Sequence, residues 1–413
     1  MAKDGRALRE EAAAAVAAGK HKRALAAYLE LERLEANDAQ WPKRAGETSP
    51  SKPDLRRPDG VTFDSYPRSR VENSQPAGIG RVVALRGRWA WNNLGRNVVF
   101  ASPAFRPETV FDQTNFPDDD ELSQYDLDIH AVLELPSAAV VVVLNHLGLL
   151  RAFRAADLAW SGGVRSLEPV WTSRFADDVE RVVAAGDRLI GSRPRHQQAG
   201  GVIVSEPLST SPGSDVDVHA SLEEWDVVTA LETLSPGGDP CIAIGDHRRV
   251  GLFSIGDETL GAARWEVTVD FRPAALTWDG RLVWAAGSEP AVGVDDYDWE
   301  QLHGGGFVGL DPQDGTPVVE GRFDEDLAWG NGGAAVLVTP SFVCGVERTG
   351  ALSLYGKRDG KLVARTPNAA SHSLGIAHAA AIDDVILFGF NRAGYELRAV
   401  STVMPNRVLG ERA

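Results

Sequence analysis

Hydrophobic and polar positions follow two different rhythms along the chain. Up to about Ala45, apolar and small residues recur at helical spacing through Leu8, Ala12, Ala24, Tyr28, Leu31 and Leu34, and no proline interrupts before Pro42. Two helices meeting at Gly19 are therefore expected. The segment TSPSKPDLRRPDG, with its three prolines, ends that pattern. From about Gly78 the rhythm shortens to runs of Val, Ile, Leu, Phe and Trp, bounded by turn dipeptides such as Asp279-Gly280, Asp314-Gly315, Asn331-Gly332 and Asp359-Gly360. Short apolar runs between such turns predict strands.

One unit recurs through this second region: an apolar strand, a polar turn carrying glycine, and a second strand. It occurs at Trp89 to Phe100, Val142 to Phe153, Ile242 to Ile255, Val343 to Tyr355 and Ile386 to Val400, with Gly95, Gly148, Gly251, Gly350 and Gly394 as the turn glycines. Their separations are 53, 103, 99 and 44 residues, and weaker units at Gly200 and Gly306 fill the two long gaps. The mean spacing is then about 50 residues over seven units. A strand precedes the unit in HAVLELPSAAVVVVL, RVVAAGDRLIGS, PAALTWDGRLVWAA and AAAIDDVILFGF, and a hairpin follows it in FVGLDPQDGTPVVEG and LSLYGKRDGKLVART. Four-stranded units at this period are expected to form a β-propeller, with blades arranged radially about a channel. GVTFDSYPRSR, from Gly60 to Arg70, is placed to supply an outer strand to the last blade and close the ring.

With these residues in view, the region from about 60 to 405 resembles the WD-repeat and quinoprotein-like propellers. The hairpins Leu310 to Val318 and Leu354 to Val363 look like those of quinoprotein-type blades. The Gly-His and Trp-Asp dipeptides of orthodox WD repeats are missing from their positions, so the resemblance is to a divergent propeller. Leu8 to Asn37 resembles a single tetratricopeptide repeat, and an ordinary helical hairpin capping the main domain is the alternative. The expected fold is thus mainly β: a seven-bladed β-propeller at 77–405 with a short N-terminal α-helical hairpin at 1–47. Residues 48–76 form a linker with the ring-closing strand, and 406–413 a tail.

Composition narrows the functional classes. The chain has 413 residues, 43% of them apolar, with 42 basic against 58 acidic side chains, a net charge of −16. Residues 1 to 60 hold 12 basic and 10 acidic residues, which leaves 30 against 48 for the rest, near −18. Such a field argues against a nucleic-acid partner and favours basic partners or cations. Ala138 to Leu144, the longest strongly apolar run, is far short of the roughly 20 residues that span a bilayer. The charged N-terminus does not read as a secretory leader, and the two cysteines, Cys241 and Cys344, sit in apolar runs. A cytoplasmic protein with buried thiols is expected.

Three groups of residues are candidates for function. The polar turn positions Asn93, His146, His196, His247, Arg348 and Arg392 gather at one end if the repeat alignment holds, giving a binding face. An inserted loop from Pro290 to His303 carries Tyr297 and Trp299 among four acidic residues, a combination suited to a basic protein partner. Asp118 to Asp128 is a second, solvated acidic loop. Finally, the innermost strands should begin near His130, Glu180, Asp226, Asp326 and His378, where acidic and imidazole groups facing the channel would hold one divalent cation, as in lactonase-like propeller hydrolases.

No phosphate-binding glycine loop and no nucleophile elbow occurs, HGGGF sits in a β-region, and an adjacent cysteine pair for quinone chemistry is missing. No catalytic residue is assigned and no cofactor is required. The eleven tryptophans read as wedge packing between blades. The expected function is a non-catalytic scaffold that binds another protein through the hairpin and one propeller face. A cation-dependent propeller hydrolase and a small-molecule sensor are the alternatives.

Overall fold

A computed structural model of the chain describes residues 64–65, 69–70 and 82–401, apart from loop positions at 94–96, 103–106, 113–128, 146–147, 161–164, 177–178, 180, 194–200, 209–214, 223–224, 226–227, 257–258, 290–302, 325–326, 328, 331–332, 335, 347–351, 367–375, 383–384 and 391–395. The expected helical hairpin at 1–47 lies outside the described residues.

Among the described residues the strands form eight sheets: seven of four or five strands, in sequence order, each built on an antiparallel four-stranded unit, and one two-stranded hairpin. The first holds Val82–Leu85, Arg88–Asn93, Asn97–Ala101 and Pro107–Asp112, and the second Ile129–Leu135, Val140–Asn145, Leu149–Arg154 and Trp171–Arg174. The third holds Arg181–Ala185, Arg188–Arg193, Gly201–Ser205 and Val218–Ser221, and the fourth Val228–Leu234, Cys241–Asp246, Arg249–Ile255 and Leu260–Thr268. The fifth holds Arg272–Trp278, Val283–Glu289, His303–Leu310 and Pro317–Arg322, and the sixth Val336–Val338, Phe342–Val346, Leu352–Gly356 and Leu362–Thr366. The seventh takes three strands from the C-terminal end, Ile376–Ile382, Val385–Phe390 and Glu396–Ser401. Its outer edge comes from the other end of the described chain, with Asp64 paired to Ser401, Ser65 to Val400, Ser69 to Leu397 and Arg70 to Glu396.

The first strand of each sheet touches the first strand of the next, and that of the seventh touches that of the first. The inner strands therefore form a ring. Each apolar cluster lies between two consecutive sheets: Ile129, Val132, Val141 and Val143 pack on Val98, Phe100 and Phe111 of the first sheet, and Cys241, Ala243, Val250 and Leu252 pack on Leu276, Val283, Val308 and Leu310 of the fifth. This arrangement explains the strand sequences. Second strands are covered on both faces, so all six residues of Val140–Asn145 and of Cys241–Asp246 are buried and read as continuous apolar runs. Outer strands have one covered face, and Leu260–Thr268 mixes buried and exposed positions.

Two units differ from the sequence expectation. Gly251 and Gly306 were assigned to turns, but each lies inside a third strand. A Cβ on Gly251 would come within 2.9 Å of the Trp225 ring, so close packing demands glycine there. The tryptophans are largely core, with Trp89, Trp225 and Trp284 fully buried, but Trp160 is 44% exposed. It caps a rim segment, with the Arg165 guanidinium 4.6 Å from its ring centroid.

The sheets are tied to one another at the outside by a recurring device. The connection between the third and fourth strands of one sheet reaches back to the outer strand of the sheet before it. In the second sheet, Arg165–Ser166 pairs in parallel with Thr109 and Val110, and the Leu167 N–H donates to the Val110 carbonyl at 2.7 Å. In the third, the Val216 N–H donates to the Arg174 carbonyl at 2.7 Å. In the fifth, the turn Asp311 to Thr316 receives Trp265 of the fourth sheet, whose indole Nε1–H donates to the Pro312 carbonyl at 3.1 Å. Gly315, at φ 75°, lies under the indole, where a Cβ would approach the ring to 2.8 Å. These latches cover sheet edges that would otherwise be open to strand addition. Trp265→Phe keeps the ring but loses the N–H donor, and should cost about 1 kcal/mol in urea unfolding. An unchanged midpoint would mean that stacking alone fastens the turn.

Candidate interaction face

In an antiparallel meander the connection from second to third strand and the start of the inner strand lie at the same end. The candidate turn positions occupy those connections. Asn93 ends a second strand, and His247 sits in the turn between Cys241–Asp246 and Arg249–Ile255. His146, His196, Arg348 and Arg392 lie outside the described residues, as do Tyr297 and Trp299, but each number falls between the second and third strands of its sheet. By strand order the second-to-third connections share one end of the sheets, and of the candidate residues only Asn93 and His247 are among those described.

The His247 turn shows how this end is built. Asp246 is fully buried and accepts from Arg249 Nη2 at 2.6 Å. The Arg249 guanidinium in turn lies 4.3 Å from the Trp225 ring centroid. His247 Nε2 is 3.8 Å from Asp246 Oδ1, an oxygen with no hydrogen-bond partner among the described residues. The backbone at His247 has φ 36°, in the left-handed region that costs a non-glycine residue energy. The side chain is 41% exposed. Buried carboxylate, stacked guanidinium and strained backbone together hold the imidazole outward on a fixed stem.

Beneath the turns runs a series that the sequence reading missed. Asn145, Ser192, Asp246 and Ser288 are all buried and polar, and each pairs with the first residue of its inner strand: Ile129, Arg181, Val228 and Arg272. In the second sheet the Asn145 side-chain oxygen accepts from the Leu149 N–H at 2.9 Å, closing the turn beside Gly148. Gly148 has φ 74°, and a Cβ there would meet the Ala176 carbonyl at 2.3 Å. A small polar residue ending each apolar run, as in Asn145-His146 and Asp246-His247, was the available signal.

Of the five residues considered for a cation, only His130 and His378 are among those described. His130 is the extra residue of a β-bulge between Ile129 and Ala131 and is only 4% exposed, so it belongs to the packed wall instead of an open channel. Asp326 does not begin an inner strand: that strand of the sixth sheet starts at Val336. A short hairpin, Trp329–Gly330 with Gly333–Ala334, precedes it and touches the inner strands of the fifth and seventh sheets. Glu180, Asp226 and Asp326 are outside the described residues, and His378 lies within Ile376–Ile382. Among the described residues no three His, Cys, Asp or Glu side chains group as metal ligands. What the described part of this end offers chemically is the His247 imidazole above the buried Asp246–Arg249 pair, a group for hydrogen bonding and charge pairing.

No protein-family model matches the sequence, and no curated protein matches it. Solved structures do. The Cps50 (Swd1) β-propeller domain of Myceliophteria thermophila aligns over 83% of this chain and 100% of its own, at 9% identity and a TM-score of 0.57. BamB from Moraxella catarrhalis aligns over 82% and 100% at 12% identity and TM-score 0.48, and the computationally designed Ika8 protein over 81% and 98% at 11% and 0.47. The likeness to the Cps50 domain, together with the ring of sheets, shows a β-propeller fold.

Proposed function

We propose that this chain is a protein-interaction scaffold built on a seven-bladed propeller, with the end carrying the second-to-third connections as its binding face. The observation that carries the reading is His247. A solvent-facing imidazole is held at a strained φ by a buried Asp246 and a stacked Arg249, and strain of that kind serves presentation better than stability. The latched ring supports it, because a rigid frame orders its turns before a partner arrives and lowers the entropy lost on binding. The blade count of seven rests on the cyclic order of inner-strand contacts and on the N-terminal pairs to Glu396–Ser401. In this reading residues 1–47, where the sequence pattern expects a helical hairpin, serve as a second docking element. The free, buried Cys241 and Cys344 suit a reducing, cytoplasmic setting.

His247 also makes the test clean. His247→Gly removes the side chain at a φ that glycine adopts freely, so it should raise stability by about 0.5 to 1 kcal/mol in urea unfolding. His247→Glu replaces the imidazole by a carboxylate at an exposed turn position and is expected to remain folded. In affinity purification of the full chain from its native source, His247→Glu and Arg348→Glu together are expected to lose the partner that the wild type retains, and Tyr28→Glu to weaken it. Full retention through all three substitutions overturns the assignment of these surfaces.

A further inference from the structure

The seam between the fourth and fifth sheets contains a carboxyl group that no other part of the fold uses. Glu232 lies on the inner strand Val228–Leu234, opposite Ala243 of its own sheet. It alternates with Leu231 and Thr233, which face the third sheet, where the Thr233 hydroxyl donates to the Ala184 carbonyl at 2.8 Å. Glu232 therefore points at the fifth sheet with Ala230 and Leu234, and the Trp278 N–H there donates to its Oε1 at 3.4 Å, a long bond. Apolar groups surround it: Ala230, Leu234, Ala243, Leu276 and the Trp278 ring belong to one packed cluster.

Among the described residues, no strand packed against Glu232 brings it a compensating charge. The second strand of its own sheet offers the Cys241 thiol diagonally across, itself pushed up by burial, while Asp246 sits at the far end bonded to Arg249. The inner strand of the third sheet carries Arg181, also at the far end, whose Nε donates to the Thr229 carbonyl. The inner strand of the fifth sheet carries Arg272 at its far end. Asp279, next to Trp278, is engaged by Lys357 and the Trp284 indole.

We propose that Glu232 is a proton-operated fastening of this seam, closed while the carboxyl is neutral and loosened when it ionises. The side chain is half-buried by exposure, but its packing between the two sheets desolvates it and drives its pKa up to about 8, against a lowering from the Trp278 N–H. The sign follows from linkage. A folded-state pKa above the unfolded value near 4.5 gives stability that is complete below that value and is lost as pH rises through about 8. A hollow of ≈ 310 Å³ lined by Thr233, Leu234, Cys241 and Trp278 lies beside this carboxyl, so loosening the seam there changes access to Cys241.

The two cysteines make the proposal measurable in the full chain. Cys241 is in the seam, whereas Cys344 is buried in the sixth sheet and serves as an internal reference. Iodoacetamide labelling, followed by mass spectrometry from pH 6.5 to 9.5, is compared between wild type and Glu232→Gln at each pH; the carboxylate's own charge holds back the nearby thiolate, so it opposes the expected rise and cannot imitate it. Above pH 8, Cys241 of the wild type should label at least about tenfold faster than in the variant, the equivalent of one pH unit of coupling. Below pH 6.5 the two should agree, and Cys344 should label alike in both throughout. Equal Cys241 rates at every pH, or a parallel rise at Cys344, overturns the proposal. If Glu232→Gln does not fold, the infrared band of the protonated carboxyl in the wild type decides: loss with a midpoint near pH 8 supports it, and an ionised carboxylate at pH 6 overturns it.

Discussion

Gly360→Ala should lower the unfolding free energy by about 3 to 5 kcal/mol, more than any other single methyl group added at the latches. Gly360 closes the turn between the third and fourth strands of the sixth sheet, where its N–H donates to the Gly356 carbonyl at 2.9 Å and its φ is 65°. Two costs combine. The left-handed backbone penalises any side chain by roughly 1 kcal/mol, and the added Cβ would lie 2.1 Å from the Glu320 carbonyl oxygen of the fifth sheet. That oxygen is backbone in a paired strand and cannot swing aside, so the turn must lift from its neighbour. Urea unfolding read by tryptophan fluorescence checks the magnitude. A loss below about 1 kcal/mol would mean that the turn does not bear on the fifth sheet.

The second large effect is expected at the other end of the same turn. Lys357 Nζ pairs with Asp279 Oδ2 of the fifth sheet and donates to the Thr339 carbonyl at 3.2 Å. Asp279 is saturated: Oδ1 accepts from the Arg281 and Leu282 N–H groups at 2.9 and 2.8 Å, and Oδ2 from Trp284 Nε1 at 2.8 Å. Both charges are about six-sevenths buried, with side-chain exposures of 14% and 15%. Lys357→Met removes the cation and leaves the carboxylate in the seam, so it should cost about 2 to 4 kcal/mol. Asp279→Asn should cost less, because the amide still accepts from the indole. In a double-mutant cycle the two should couple by at least about 1 kcal/mol, and strict additivity would refute a direct pairing.

Asp279 also sets an acid limit. Burial raises its pKa, but the bonds from the Leu282 N–H, Lys357, Trp284 and the Arg281 N–H outweigh it and hold the carboxyl below its ordinary 3.8. A depressed folded-state value gives stability that is present above the unfolded pKa and is lost as pH falls through the folded one. Acid therefore loosens the seam between the fifth and sixth sheets, and base the seam between the fourth and fifth. The Lys357→Met variant should lose part of the stability decline below about pH 4, and the Glu232→Gln variant the decline toward pH 8.

Much of the strand arrangement was legible because its cause is local. A strand covered on both faces must be apolar throughout, and a tight turn must supply polar residues and positive φ, so Val140–Asn145 with Gly148 and Leu310 with Gly315 announce themselves. The reading failed where a residue's role depends on another sheet. Gly251 resembles a turn glycine in sequence, and only the Trp225 ring beside it explains the missing side chain. His130 reads in sequence as an ordinary strand residue, and only the pairing shows that it sits at a bulge between Ile129 and Ala131 with little exposure. Asp326 looks like the start of an inner strand, but the hairpin Trp329–Gly330 and Gly333–Ala334 takes that place. Glu232 attracted no notice, since one glutamate in a strand says nothing about the surface it will face.

The sequence alone determined the period and the strand and turn types, because alternation and backbone preference act within a few residues. Tertiary structure alone decided which glycines touch a neighbouring sheet, which carboxyls are saturated and which are isolated. Those properties depend on contacts between residues about 20 to 80 positions apart, such as Lys357 with Asp279 or Glu232 with Trp278. Desolvation and close packing act through space, and the order of residues along the chain does not record them.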